Sequence, residues 1–321
     1  MSGGEPESSP GLAAENFGDR LAARVAMRES QLVLGLDPDP AGLWPQALYF
    51  ADGTVDPSAP SGERAARAVL EHCRLALAAV GDECVAVKLQ VACFERLGPP
   101  GWAALALAAA TAREQGLLVI ADAKRGDIDV TAAAYAQAFF GVTPTPYGPV
   151  DGIGADALTV NPLLGTDSLA PFLSAARDRS SALFVLVRTS NPGAGDVQEQ
   201  RLADGRLVSE RLAEMVAELG SGGVGRAGLS DVGAVVGATA PKRLEALRAA
   251  MPQTVFLLPG VGAQGGYVQD LAAAFAPGRA GGLVSASRGI VAAHERTGGD
   301  PADAARAEAS RLRELAWSIA G

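Results

Sequence analysis

The sequence predicts an α/β chain closed into a (β/α)8 TIM barrel with an extra N-terminal helix and loop insertions. Three observations predict it. Short β-branched or apolar runs alternate with Ala-, Leu-, Arg- and Glu-rich stretches of helical period. The alternation recurs eight times, which fits a closed barrel better than an open sheet. The length, 321 residues, suits one such barrel with insertions.

Taken in order, strands are expected at Gln31–Leu36, Cys84–Leu89, Leu117–Ala123, Ala157–Asn161, Ala182–Arg188, Gly233–Gly237, Thr254–Leu258 and Gly282–Ala286. Helices are expected near 62–80, 101–115, 130–140, 167–178, 205–219, 241–250, 265–275 and 301–320. Asp167 can cap the helix that continues through Ser168, and Thr239 with Pro241 can start the sixth. An extra helix near 12–29 precedes the first strand, after an acidic, Gly/Ser/Pro-rich flexible tail over 1–11. Residues 12–321 are then one barrel domain, and the Gly-, Pro- and Ser-rich stretches 38–61, 141–154, 191–204 and 220–231 are loops within it.

Composition narrows the function. The apolar fraction of 48% fills a large core, mostly with Ala, Val and Leu because aromatics are only 5%. A net charge of −9 argues against nucleic acid or an anionic membrane as partner, since both attract basic surfaces. Cys73, Cys84 and Cys93 are too few and irregular for a disulfide framework, and they read as reduced thiols of a cytosolic protein. The N-terminus lacks the basic and apolar regions of a signal peptide, and the longest apolar run, Ala103–Ala112, is too short to span a bilayer. A soluble, cytoplasmic protein is expected.

The three lysines, Lys88, Lys124 and Lys242, stand against 24 arginines. A chain that uses Arg for nearly every positive charge has placed its few lysines where a compact, titratable ammonium serves and a guanidinium does not. In a barrel of this kind functional groups come from the C-terminal ends of strands. Here those ends carry Asp37, Lys88, Asp122 with Lys124, Asn161, Ser190 and Arg288. Asp122 and Lys124 are two apart on a strand and are expected to share a face within reach of Lys88, while Asp127 lies just past the strand end. An alternating Lys-Asp-Lys-Asp array keeps each member charged. Surface ion pairs at loop ends are the bland alternative; the scarcity of lysine and the strand-end placement weigh against it.

Gly260–Gly266 matches G-x-G-x-x-G, but it follows the seventh strand and no acidic residue lies near 280–285 to hold a ribose. It fits the phosphate site such barrels form after strands 7 and 8, with amides of Gly260 and Gly262 and the guanidinium of Arg288 as donors and Gln264 placed to close over the ligand. The second match, Gly223–Gly228, follows a helix and is expected to be only flexible. His72 and His294 have no ligand-spaced neighbour and are expected to be structural or exposed, and Trp44, Trp102 and Trp317 to be packing residues. No Ser–His–Asp set, H-E-x-x-H or Cys/His zinc pattern is present, so no metal site is expected.

At this point the chain resembles a known family. Asp122-Ala123-Lys124-Arg125-Gly126-Asp127-Ile128 is similar to the D-x-K-x-x-D signature of orotidine 5′-monophosphate decarboxylases, in the wording of their longer bacterial (type 2) subgroup. The resemblance extends through Val87–Gln90, Thr159–Pro162, Thr189–Pro192, Pro259–Gly266 and Ser287–Ile290, over about residues 12 to 320. Leu89 stands where a proline is common in this subgroup. The resemblance implies a cofactor-free conversion of orotidine 5′-monophosphate to UMP, the last step of de novo pyrimidine biosynthesis. It implies that Lys124 protonates C6 of the pyrimidine, that Asp122 lies against the substrate carboxylate, and that Lys88 holds Asp122 and a ribose hydroxyl. Asp37 would bind ribose, Ser190 the pyrimidine, and Gln264 and Arg288 the phosphate, with Asn161 also on the substrate. Asp127, Ile128 and Thr131 would reach into a partner subunit's site, making the active unit a homodimer.

Three other readings compete. The same signature resembles Mg2+-dependent sugar-phosphate decarboxylases and aldolase-type synthases, but those need an acidic ligand at the end of strand 2, where this chain has Lys88. A catalytically silent phosphate-binding barrel has no reason to assemble Lys88, Asp122, Lys124 and Asp127. A Schiff-base role for Lys124 is disfavoured because Asp122 keeps the amine protonated.

Overall fold

The computed structural model describes residues 15–262 and 264–321. The expected tail over 1–11, the first residues of the expected leading helix and Ala263 lie outside the described residues. Eight parallel strands form the barrel: β1 (Leu32–Leu36), β2 (Ala86–Gln90), β3 (Leu118–Arg125), β4 (Ala157–Val160), β5 (Ala182–Arg188), β6 (Val232–Val236), β7 (Phe256–Pro259) and β8 (Gly282–Ala286). Each pairs with its chain neighbour, and β8 pairs with β1 to close the ring.

Alternation along each strand divides the core in two. Leu32, Leu34 and Leu36 of β1, Val87 and Leu89 of β2 and Leu158 of β4 point outward into the layer beneath the helices. Val33, Ala86, Ile120, Ala157, Phe184, Val235 and Leu257 fill the barrel interior. The same parity puts Lys88 and Asp122 inside, one position further toward the C-terminal mouth. Gly35 of β1 is glycine because a Cβ there would meet the Ser287 hydroxyl at 1.9 Å, so its absence lets the β8 end close over β1.

The opposite end is plugged. The helix Phe17–Arg28 is capped by Asn16, whose side chain accepts from the Asp19 amide at 3.0 Å. It buries Phe17, Leu21 and Val25 beneath the interior core, with Phe17 edge-on to Phe184 at 6.1 Å between ring centroids. Its arginines tie the strand entrances together: Arg20 pairs with Asp156 at 2.7 Å, Arg24 donates to the Gly116 carbonyl, and Arg28 donates to the carbonyls of Cys84 and Gln115 at 2.6 and 2.8 Å.

Several expectations are corrected. A helix, Pro45–Asp52, stands inside the expected loop 38–61; Trp44 before it is buried and donates its indole N–H to the Val291 carbonyl at 2.9 Å. The 141–154 segment carries a small antiparallel hairpin, Val142–Thr143 with Val150–Asp151, and the 191–204 segment a short helix, Ala194–Val197. Asp167 sits in the first turn of Thr166–Arg177 and Gly165 is the cap; Thr239 donates its hydroxyl to the Ser190 carbonyl while Pro241 opens Pro241–Ala250 after Ala240. The expected helix 265–275 starts at Val268 and is wound as a 3-10 helix. Gly223–Gly228 is held in place, with its Ala227 amide on Asp19 at 2.6 Å and its Gly223 carbonyl accepting from Asn16 at 2.6 Å. His72 is a buried structural residue whose Nδ1 accepts from the Trp44 amide at 3.1 Å.

Candidate active site

The C-terminal mouth of the barrel opens into a cavity of about 360 Å3. Its polar lining starts on β3, and β3 does not run straight there. Ala121 pairs with Leu158 and Arg125 with Val160, so the chain from Asp122 to Lys124 bulges against the single residue Thr159 of β4. Lys124 sits at the apex with a φ of 49°, a left-handed conformation that a side-chain-bearing residue rarely holds and that costs about 1–2 kcal/mol. Thr159 holds the bulge: its hydroxyl accepts from the Lys124 amide at 2.9 Å and donates to Asp122 Oδ1 at 2.9 Å. Strand alternation is therefore not what brings Asp122 and Lys124 together. The bulge is, and it leaves Lys124 Nζ 2.6 Å from Asp122 Oδ1.

On the other side of the carboxylate, Lys88 comes inward from β2 and donates to Asp122 Oδ2 at 2.8 Å, with Asp37 Oδ1 3.5 Å away. Gln90 Nε2 reaches the same Oδ2 at 3.4 Å. Burial by itself would raise the Asp122 pKa, but Lys88 and Lys124 outweigh it and hold the carboxyl well below the ordinary range. Burial likewise opposes a charge on Lys88, and Asp122 and Asp37 more than offset that, raising its pKa. The centre is thus a carboxylate held between two lysines, with Asp122 and Lys88 each favouring the other's charged form. Lys88 and Asp122 are enclosed, while the Lys124 side chain is 44% exposed and faces the cavity.

Across the cavity stand Ser190, Gly260, Gln264 and Arg288. Gly237 lets Ser190 in, since a Cβ there would lie 2.8 Å from the Ser190 backbone, and Thr239 fixes the Ser190 carbonyl at 3.1 Å. Among the described residues Arg288 has no carboxylate within ion-pair distance, which leaves a free guanidinium at the mouth. The Gly260–Gly266 turn differs from an open cradle of amides. Gly260, Gly262 and Gly265 take φ of 100°, 75° and 87°, and the amides of Gly262, Gly265 and Gly266 donate to carbonyls of the same turn at 2.8–3.0 Å. Those three amides are used within the turn, and Gln264 and Arg288 line the cavity beside it.

Of the residues singled out in the sequence, Asp37, Lys88, Asp122, Lys124, Ser190, Gly260, Gln264 and Arg288 line one cavity. Asn161 does not; its Oδ1 accepts from the Leu163 amide at 3.0 Å, closing the turn after β4. Gly262 is likewise not among the residues lining the cavity. Asp127, Ile128 and Thr131 are not among the lining residues: Ile128 is 52% exposed, Thr131 is exposed, and half-buried Asp127 accepts from the Ile128 amide. Gln90, Thr159 and Asn191 line the cavity and are missing from the sequence-based set. Gln90 carries a legible signal, the inward parity it shares with Lys88.

A closed barrel with a buried carboxylate between two lysines, facing an unpaired arginine across one cavity, defines a barrel enzyme for a small anionic substrate. Comparison with known proteins narrows the class. Residues 30–307 match the model of the orotidine 5′-phosphate decarboxylase / HUMPS family. The chain is 42% identical to an orotidine 5′-phosphate decarboxylase of Deinococcus radiodurans over 93% of this chain and 96% of the relative. It is 41% identical to one of Rhodopirellula baltica over 87% and 89%. A solved structure described as a putative orotidine 5′-phosphate decarboxylase, from Streptomyces avermitilis, superposes with a TM-score of 0.73 at 33% identity, covering 98% of this chain and 99% of that one. An OMP decarboxylase structure from Leishmania donovani gives 0.70 at 32%, covering 95% and 99%. The chain belongs to the orotidine 5′-phosphate decarboxylase / HUMPS family.

Proposed function

We propose that the protein is a carboxy-lyase that converts orotidine 5′-monophosphate to UMP in pyrimidine biosynthesis, in the cytoplasm, with residues 12–321 as one domain. The observation that carries this reading is the Lys88–Asp122–Lys124 relay set across one cavity from Arg288. It also separates the two branches that the family description spans. A lysine at the end of β2 supplies a positive charge where a metal-dependent sugar-phosphate enzyme needs an acidic ligand.

In the reaction the C6–CO2 bond breaks, its electron pair stays on C6, and a proton from the Lys124 ammonium is delivered to that carbon. Ionised Asp122 faces the departing carboxylate. Two such charges ~4 Å apart repel by about 4 kcal/mol at an effective dielectric of ~20. Decarboxylation without an electron sink demands about 20 kcal/mol of acceleration, so this repulsion is a minor part of it. Stabilisation of the developing carbanion by Lys124, and the binding energy of the distant phosphate at Arg288 and Gln264, supply the larger share. Asp37 and Lys88 take ribose hydroxyls and Ser190 the pyrimidine edge. Loss of orotidine 5′-monophosphate absorbance on mixing with protein in excess chelator tests the reading. No change overturns it.

The active unit in this reading is a homodimer, because Asp127, Ile128 and Thr131 are absent from the lining of their own cavity while Ile128 and Thr131 are exposed. Mixing Lys124→Ala with Asp127→Ala subunits then restores about a quarter of the sites, since each mixed dimer has one intact centre. No restoration contradicts the shared site.

A further inference from the structure

We propose that Thr159 is a positioning residue for the reaction, acting by holding both the orientation of Asp122 and the left-handed backbone of Lys124. The inference rests on the decarboxylase reading and adds a residue to it. Thr159 is buried, on β4, 37 positions from Asp122 and 35 from Lys124 in the chain. Its hydroxyl has one proton and accepts readily, and both capacities are used at the centre: the proton goes to Asp122 Oδ1 at 2.9 Å, and a lone pair takes the Lys124 amide at 2.9 Å. This is one atom bonded to the main chain of one reacting residue and the side chain of the other.

The backbone explains why such an atom is needed. At φ 49° Lys124 is held in a region that β3 would leave if it ran straight, and it lies in the register shift between the Ala121–Leu158 and Arg125–Val160 pairs. The Thr159 hydroxyl is the partner that the Lys124 amide has there. Asp122 in turn accepts Lys124 and Thr159 on Oδ1, and Lys88 and Gln90 on Oδ2. Thr159 is the one uncharged hydroxyl among those donors, and it sets the rotation of the carboxylate plane independently of where the lysines swing. Without it the Lys124 ammonium and the Asp122 carboxylate stay paired but are free to move together away from the substrate carbon.

Thr159→Val keeps shape and burial and removes both hydrogen bonds; Thr159→Ser keeps both. We expect Thr159→Val to lower kcat about 100-fold, the scale of a misplacement near 1 Å, with KM within about twofold. The Ser chain is expected to return kcat to within about threefold of the parent. The acid limb of the kcat profile in the Val chain moves to higher pH, because the ionised Asp122 has lost a donor. Thr159→Ala, which removes the hydroxyl without a second γ-methyl, gives the same readout should the Val chain fail to fold. A Val or Ala chain with parental kcat and only a lowered Tm overturns the proposal, and so does an equal loss in the Ser chain. An inactive parent chain instead overturns the decarboxylase reading itself, so the two failures are distinguishable.

Discussion

The two ends of this barrel handle buried charge in opposite ways. At the strand entrances Arg20 pairs with Asp156, but the other two arginines named on the plugging helix, Arg24 and Arg28, end on backbone carbonyls, and so does Arg248, which is enclosed and donates to the carbonyls of Met251, Thr254, Ala274 and Gly281 at 2.7–2.9 Å. Those cations are satisfied by neutral acceptors, and Arg248 also lies 3.6 Å from the centroid of the Phe256 ring. At the strand exits, the cations face a carboxylate or a cavity. Lys88 and Lys124 converge on one buried Asp122, and Arg288 has no acidic partner among the described residues. The difference teaches why the chain separates its two cation types. Fork-shaped Arg bridges several carbonyls at once, whereas the two lysines at the exit end present compact ammonium groups to a single carboxylate.

Substitutions can break that comparison. The largest effect belongs to the exit end. Asp122→Asn is expected to lower kcat at least about 1000-fold while the far-ultraviolet circular dichroism of the folded chain is kept. A loss below tenfold in steady-state kinetics contradicts the division of roles. At the entrance end the effect moves from rate to stability. Arg248→Met takes the guanidinium donor from four carbonyls and is expected to cost about 3–5 kcal/mol in urea unfolding, with kcat of the folded protein unchanged.

The smallest effect tests a neutral group beside the mouth. Burial, assisted by His294, lowers the His72 pKa from 6.5 to about 4. A base whose pKa is lower folded than unfolded stabilises the fold fully above the unfolded value, near pH 6.5. That contribution fades as pH falls toward about 4, by up to about 3 kcal/mol. Urea unfolding of His72→Asn at pH 7 and pH 4.5 should show a flatter dependence than the parent, since an amide oxygen can accept from Trp44 without titrating. Parallel curves would remove His72 from the acid response.

How much of this was legible from residues alone depends on the range of the cause. The eight strands are local patterns, and the structure places them within a few residues of where periodicity puts them. The Lys, Asp and Arg residues at the strand ends are legible because the barrel has a fixed functional end. The bulge is not. A left-handed Lys124 carries no glycine or asparagine to announce it, and the hydroxyl that holds it lies 35 residues on. The helix Pro45–Asp52 was obscured by the turn residues on both sides and by an anchor, Trp44 to Val291, that spans most of the chain. Of the two glycine amides expected to be free after β7, that of Gly262 is taken by the Gly266 carbonyl, a closure that composition cannot reveal.

The central claim is that the exit-end lysine on the bulge, set by Asp122 and Thr159, carries the proton transfer, and that the groups across the cavity carry the binding. Lys124→Ala tests it most directly, read twice: turnover of orotidine 5′-monophosphate, and calorimetric binding of UMP. The account predicts turnover lost by at least about 10,000-fold with UMP affinity within about tenfold of the parent. Near-parental turnover, or loss of UMP binding in step with turnover, would contradict it.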